Sequence, residues 1–177
     1  LSVEKIIHDK INFIDYDGIV FTSANAVKFL NLNEINKTIK CFCVGEATEK
    51  KARSLGFQNT IAAGGNVSNL KELVLQNYNS SSGKLLYVSG EKISVNLDQE
   101  LLNEGYKIKR IINYRVNHNK NFSEQFVKEL KKNMPNMVYI YSQNSAHSFL
   151  NFIKFHQFEG LCKDTNLMCI GEKTSSI

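Results

Sequence analysis

Short apolar runs of strand length alternate along this chain with amphipathic stretches of helical period, and the joins between them are only a few residues long. Strands that take turns with helices lie parallel, because each helix carries the chain back across a sheet face before the next strand begins. The pattern predicts strands at Gly18–Thr22, Ile39–Val44, Phe57–Ala62, Leu85–Val88, Ile108–Val116, Met137–Tyr141 and Leu167–Ile170. Between them it predicts helices from a Ser23 cap to Leu32, over Glu46–Leu55, and near Ser68–Tyr78, Leu97–Glu104, Ser123–Lys132 and Ser142–Phe155. Apolar residues spaced for one helical face predict a further helix over Val3–Phe13. Gly56 and Gly105 stand where helices need a stop.

A weak internal repeat runs through this alternation. Ile19-Val20-Phe21-Thr22-Ser23-Ala24-Asn25-Ala26 is similar to Val138-Tyr139-Ile140-Tyr141-Ser142-Gln143-Asn144-Ser145, an apolar strand entering Ser-x-Asn and then a helix. Cys43-Val44-Gly45-Glu46-Ala47-Thr48 pairs in the same way with Cys169-Ile170-Gly171-Glu172-Lys173-Thr174. Two related α/β units are therefore expected, separated by the polar, aperiodic stretch Asn117–Asn121. Residues 1–116 read as a complete domain. Residues 117–177 read as a partial second one, cut off where its next helix should begin.

With 42% hydrophobic and 22% charged residues, the composition excludes a disordered tail, a collagen-like repeat and a disulfide scaffold. No apolar run is long enough to cross a bilayer, so no membrane partner is expected. The start, Leu1-Ser2-Val3-Glu4-Lys5, has neither an initiator Met nor a signal-peptide pattern. Four Cys without a CxxC pair suit a reducing, cytoplasmic setting. The net charge of +5 comes mostly from Lys scattered along helical segments, which reads as solvated surface rather than a nucleic-acid patch. The densest basic stretch, Lys107, Lys109 and Arg110, alternates with Tyr106 and Ile108 as an exposed strand would.

Each strand end leads through Ser or Gly into a helix start, which leaves free backbone N–H groups beside the positive end of a helix dipole. Ser23-Ala24-Asn25, Gly45-Glu46-Ala47-Thr48, Gly64-Gly65-Asn66, Ser89-Gly90, Ser142-Gln143-Asn144 and Gly171-Glu172-Lys173-Thr174 all have this form. Such termini bind carboxylate or phosphate, and open α/β sheets place ligands at this edge. The plainer alternative is that each Ser, Asn or Thr only caps its helix. No GxGxxG, GxxxxGK[ST], GxSxG or HExxH occurs, so nucleotide, hydrolase and zinc readings lose their usual support. Cys41 and Cys43 would face one side of a strand with no His at ligand spacing, and all four Cys read as small hydrophobes rather than metal ligands. His8, His118, His147 and His156 show no partner pattern.

Read in order, Asp17-Gly18-Ile19-Val20-Phe21-Thr22-Ser23-Ala24-Asn25-Ala26-Val27, Val44-Gly45-Glu46-Ala47-Thr48 with Gly56-Phe57, and Leu86-Tyr87-Val88-Ser89-Gly90 resemble elements of one known family. Leu101, Gly105-Tyr106, Tyr114-Arg115-Val116, Tyr141-Ser142-Gln143-Asn144-Ser145-Ala146 and Ile170-Gly171-Glu172-Lys173-Thr174 continue the series. The family is uroporphyrinogen-III synthase, of tetrapyrrole (haem) biosynthesis, and the resemblance covers nearly the whole chain.

That resemblance implies two parallel-sheet, flavodoxin-like α/β domains joined by a two-strand linker, the second incomplete here, with the active site in the cleft between them. It implies a monomer with no cofactor and no metal, a linear tetrapyrrole as substrate, and no nucleic-acid partner. The reaction implied is closure of hydroxymethylbilane to uroporphyrinogen III with loss of water and inversion of the terminal ring. Such chemistry asks mainly for control of geometry, since a neighbouring pyrrole already activates the leaving hydroxyl. Tyr114 is then the candidate proton donor, with a packed hinge tyrosine as the alternative. Ser23, Thr48, Gly65, Gly90, Ser142 and Thr174 are the candidate substrate-binding residues, with helix capping as the alternative for the hydroxylic ones. Lys173 stands where the family often has a second threonine, so that contact is expected to differ. A non-enzymatic two-lobed module that binds a small anionic ligand is the other reading of the same edge.

Overall fold

Where a helix is expected over Val3–Phe13, the computed structural model has a strand, β1 (Ser2–Lys5), followed by irregular chain and a single 3-10 turn at Phe13–Asp15. The apparent helical face does not exist. Ile7 is 93% exposed, while Ile11 and Phe13 are buried in the core. Tertiary pairing overrides a weak local preference here, and the Ile6 amide donates to the Asn113 carbonyl at 2.9 Å. Residues 1–31, 35–118 and 122–177 are described, with the Lys173 side chain outside that set, so the expected helix end at Leu32 and part of the Asn117–Asn121 stretch lie outside the described residues. The chain divides into two compact units, Val3–Val116 and Leu1–Ser2 with Asn117–Ile177.

In the first unit β2 (Gly18–Phe21), α1 (Ala24–Lys28), β3 (Lys40–Cys43), α2 (Glu46–Ser54) and β4 (Thr60–Ala62) follow in turn. Then come α3 (Val67–Asn77), β5 (Lys84–Gly90), α4 (Leu97–Asn103) and β6 (Lys107–Asn117). One six-stranded sheet results, in the order β1-β6-β5-β2-β3-β4, and the pairs β5–β6, β2–β5, β2–β3 and β3–β4 are all parallel. The α/β class read from the alternation holds. The strand order differs from the flavodoxin-like one: β2, first of the five parallel strands, is followed outward by β3 and β4 on one side, and by β5 and β6 on the other, which is the other doubly wound arrangement.

Both faces of the sheet are covered. On one side Ile19, Phe21, Cys41, Cys43, Leu86 and Val88 pack with Ala26, Val27, Ala52 and Phe57. On the other Val20, Phe42, Leu85 and Tyr87 pack with Leu70, Val74, Leu97 and Leu101. Phe21, Phe42 and Tyr87 are essentially inaccessible, and each large apolar side chain buried in this way stabilises the fold by about 1.5–3 kcal/mol. Near-continuous burial along β2 and β5 is what a parallel sheet sandwiched by helices requires.

The second unit holds α5 (Glu124–Lys132), β7 (Met137–Ile140), α6 (Gln143–Phe155), β8 (Asn166–Cys169) and the short α7 (Glu172–Ser175). β7 and β8 form a parallel two-stranded sheet from Met137 opposite Asn166 to Ile140 opposite Cys169. Ser123 caps α5 by accepting from the Phe126 amide at 3.2 Å, and Phe122, Phe126, Phe152 and Phe158 build an aromatic cluster around His156.

Candidate active site

The parallel strands of the first unit end nearly level. Phe21 is opposite both Cys43 and Val88, Cys43 is opposite Ala62, and Gly90 is opposite Tyr114. Ser23, Gly45, Gly64-Gly65 and Gly90 therefore line one carboxyl edge, with the reversal in strand order falling between β2 and β5. That is where open α/β sheets leave a crevice.

Ser23 accepts from the Asn25 amide at 3.1 Å and so caps α1. Thr48 lies in the first turn of α2, 4% exposed, and its amide donates to the Gly45 carbonyl at 3.1 Å. The two glycine turns beyond β3 and β4 touch: a Cβ on Gly45 would stand 3.2 Å from the Gly65 Cα. Gly65 itself has φ +93°, a left-handed conformation that suits glycine, and its amide is taken by the Val44 carbonyl at 2.8 Å. One of the amides counted as free in the sequence is thus already used inside the turn. Asn66 caps α3 through the Asn69 amide.

At the other end of this edge the register of β5 against β6 slips between Ser89 and Gly90, and Asn113 is passed over in the pairing. The bulge turns Tyr114 onto the core face, where it is 9% exposed and packs with Ile111, Val88 and their neighbours. Its ring lies directly against Gly90. Asn113, fully buried, donates from Nδ2 to the Ala26 carbonyl at 2.7 Å and ties β6 to α1.

The sequence reading missed Arg110. Its Nε donates to Ser89 Oγ at 2.8 Å, and Nη2 donates to the carbonyls of Gly90 at 2.9 Å and Glu91 at 3.2 Å. Lys107 and Lys109 are exposed and alternate with the buried Ile108, and with Tyr106 just before β6, as their spacing predicts, but Arg110 does not share their face. Arg110 is in phase with Ile108 rather than with Lys107 and Lys109, and that period of two was the available signal. Tyr87, also missed, contacts the Thr22 hydroxyl at 3.4 Å; burial is the main cause that pushes its phenol pKa up, against the pull of Thr22 and Arg110.

In the second unit Ser142 caps α6 through the Ser145 amide at 3.1 Å and also meets the Ser145 hydroxyl at 2.9 Å. Thr174 is 6% exposed, with its amide donating to the Gly171 carbonyl at 3.1 Å. These two residues occupy in their own sheet the places that Ser23 and Thr48 occupy in the larger one. An apolar cavity of about 420 Å³ opens between Phe122, Phe126, Leu130, Val138 and Phe152, and no predicted site residue lines it. The expectation for Lys173 lies outside the described side chains. Cys41 and Cys43 are buried with their sulfurs 3.9 Å apart, as small hydrophobes of the core, whereas Cys162 and Cys169 are only half-buried. Among the described residues no cluster of three or more His, Cys, Asp or Glu is placed to hold a metal ion, and no helix is long and apolar enough to cross a membrane.

The family model described as uroporphyrinogen-III synthase HemD matches residues 2–176. The chain belongs to the uroporphyrinogen-III synthase family. Among solved structures it is similar to the uroporphyrinogen-III synthetase of Helicobacter pylori, with a TM-score of 0.72 at 19% identity over 98% of this chain and 78% of that one. It is also similar to a mutant uroporphyrinogen III synthase of Thermus thermophilus, with a TM-score of 0.60 at 12% identity over 99% and 75% of the two chains. At these identities the likenesses establish the fold. No curated protein matches the chain by sequence. Membership in the uroporphyrinogen-III synthase family places the chain among the cyclising lyases of haem biosynthesis.

Proposed function

We propose that this member of the uroporphyrinogen-III synthase family works at the carboxyl edge of its six-stranded sheet, with Tyr114 as proton donor. One observation carries the reading. The Tyr114 ring stands against Gly90 on the same edge to which Ser23, Thr48 and Gly65 belong. A flexible poly-acid held along that edge meets the Tyr114 phenol at the glycine turn that ends β5. The remaining candidates, Ser142 and Thr174, are substrate-binding residues in this reading, and residues 117–177 are a second α/β domain after residues 1–116.

In the reaction the bond from the terminal methylene carbon to its hydroxyl breaks, and Tyr114 passes its phenolic proton to the departing oxygen, so that water leaves. The electron pair of the adjacent pyrrole nitrogen stabilises the carbon cation that remains. The far ring attacks this carbon through its substituted position, and the resulting spiro centre reopens and closes the other way round. The pyrrole carbon that finally carries the new bond loses its proton, which restores the phenol. General acid help of this kind is worth about 10²–10⁴ in rate. The larger demand is to hold the chain folded, which converts an improbable approach into a near-attack geometry.

The carboxylates are held by backbone amides at the starts of α2 and α3, whose dipoles favour negative charge, and the net charge of +5 draws a poly-acid toward the protein. The protein acts as a monomer in the cytoplasm, without a nucleic-acid partner. Enzymatically generated hydroxymethylbilane tests the reading. The protein should give mainly the type III isomer, and type I alone, the product of unassisted closure, would refute it.

A further inference from the structure

We infer that Arg110 is a positioning residue for this reaction: its guanidinium clamps the tail of β5, and so sets the place of Gly90 under the Tyr114 ring. The inference rests on the reading of Tyr114 given above. A regular parallel ladder would hold Gly90 by repeated backbone hydrogen bonds, but the ladder slips at Ser89/Gly90. A bulge gives up pairing and adds local twist. Arg110 supplies what the slipped ladder lacks. Three donated hydrogen bonds, to Ser89 Oγ and to the carbonyls of Gly90 and Glu91, run along three consecutive residues of the tail.

The clamp closes from both sides. The Glu91 amide donates to the Tyr114 carbonyl at 2.9 Å, so the residue after Gly90 is pinned to Tyr114 by backbone and to Arg110 by side chain. Ser89 is fully buried, and its hydroxyl in turn donates to the Gly90 carbonyl at 3.1 Å. A lysine cannot reproduce this, because it offers a point charge where the planar fork spans separate acceptors. The exposed basic neighbours Lys107 and Lys109 point the other way along the strand's alternation.

The test compares Arg110→Met, Arg110→Lys and the exposed-site control Lys109→Met, each alone and with Tyr114→Phe, at a temperature where all are folded. Arg110→Met should lower kcat by about 10- to 100-fold, the effect of a small misplacement near the reacting atoms. KM should change little, the type III share of product should fall, and Lys109→Met should match the wild type. Arg110→Lys should behave like Arg110→Met, which keeps the question decidable if the methionine variant does not fold. In the Tyr114→Phe background the Arg110 substitutions should add little further loss of rate, because both act on one geometry. Wild-type rate and isomer ratio in Arg110→Met or Arg110→Lys would overturn the inference whatever Tyr114→Phe does. Fully additive losses would overturn it while leaving Tyr114 in place. Full rate in Tyr114→Phe alone would remove Tyr114 as donor, and the fall in type III share would then decide for or against Arg110.

Discussion

The ring of Tyr114 closes over Gly90 so nearly that a methyl group on the glycine would lie 2.7 Å from Cζ and 2.9 Å from the hydroxyl oxygen. Gly90 is buried, and Tyr114 is only 9% exposed. A side chain at residue 90 must therefore displace the ring, and the packed core around Ile111 and Val88 leaves it nowhere to go without strain.

Gly90→Ala should accordingly cost about 1–3 kcal/mol of stability, as overpacked sites do. Its rate of type III formation should fall by more than the unfolded fraction explains, because the phenol moves with the ring. Thermal melting alongside the isomer assay separates the two effects. A variant that is destabilised but fully active per folded molecule would show that the position of the ring does not matter to the reaction.

Tyr114→Phe removes one oxygen from the same place and leaves the ring to fill its space. Stability should hardly change, while turnover should fall by about 10²–10⁴ if the phenol is the general acid. Product binding should weaken far less than kcat. Wild-type turnover would leave Tyr114 as a packing residue only.

The strands β2 to β5 of the larger unit are legible in sequence because their apolar, β-branched or aromatic runs lead within a residue or two into Gly or Ser. Phe21 and Val88 are examples, and Ser23 marks the next element by its capping chemistry. Strand β1 is not legible, because Val3, Ile7 and Ile11 happen to fall on a helical period, and only β6, more than a hundred residues away, decides that the segment pairs. The register slip beside Gly90 is hidden for a related reason. Nothing in Ser89-Gly90 or Asn113-Tyr114 alone says that one residue of β6 is passed over, so neither the contact of Tyr114 with Gly90 nor the Arg110 clamp could be read before the pairing was known. Gly65 shows the opposite limit. Its residue type correctly marks a tight turn, but its amide is consumed by Val44 within that turn.

Asn113 offers a test of how the bulge is anchored. It is fully buried and donates to the Ala26 carbonyl at 2.7 Å, and its own Oδ1 has no partner among the described residues. Asn113→Ala leaves the Ala26 carbonyl without this donor, at a cost of about 1–3 kcal/mol. The neighbouring Tyr114 should also lose definition. Chemical denaturation would report the first effect, and the type III share of product would report the second. No change in either would mean that α1 and β6 are held together by their apolar contacts alone.

A pH test addresses the turn side of the sheet, away from Tyr114. Glu49 Oε1 accepts from Thr60 Oγ1 at 2.8 Å and from Arg53 Nη2 and Nε at 2.9 and 3.1 Å, while the same Nη2 reaches the Thr60 carbonyl at 3.2 Å. The Thr60 hydroxyl first, and the Arg53 guanidinium second, hold the Glu49 carboxyl below its ordinary value. Because the folded value is depressed, the unfolded chain binds the proton more readily, so acid favours unfolding. The stabilisation is complete above the unfolded carboxyl value of about 4.3 and disappears as the pH falls through the lower, folded one. Glu49→Gln keeps the size of the side chain and removes its charge. It should lower stability by about 1 kcal/mol at neutral pH, the scale of charge-assisted bonds on a mostly shielded group. The gap to the wild type should narrow steadily once the pH drops below the unfolded value. Unfolding free energies for both proteins across pH 2 to 8 decide the matter. A gap that stays constant into acid would mean that the contact is held by shape and not by charge.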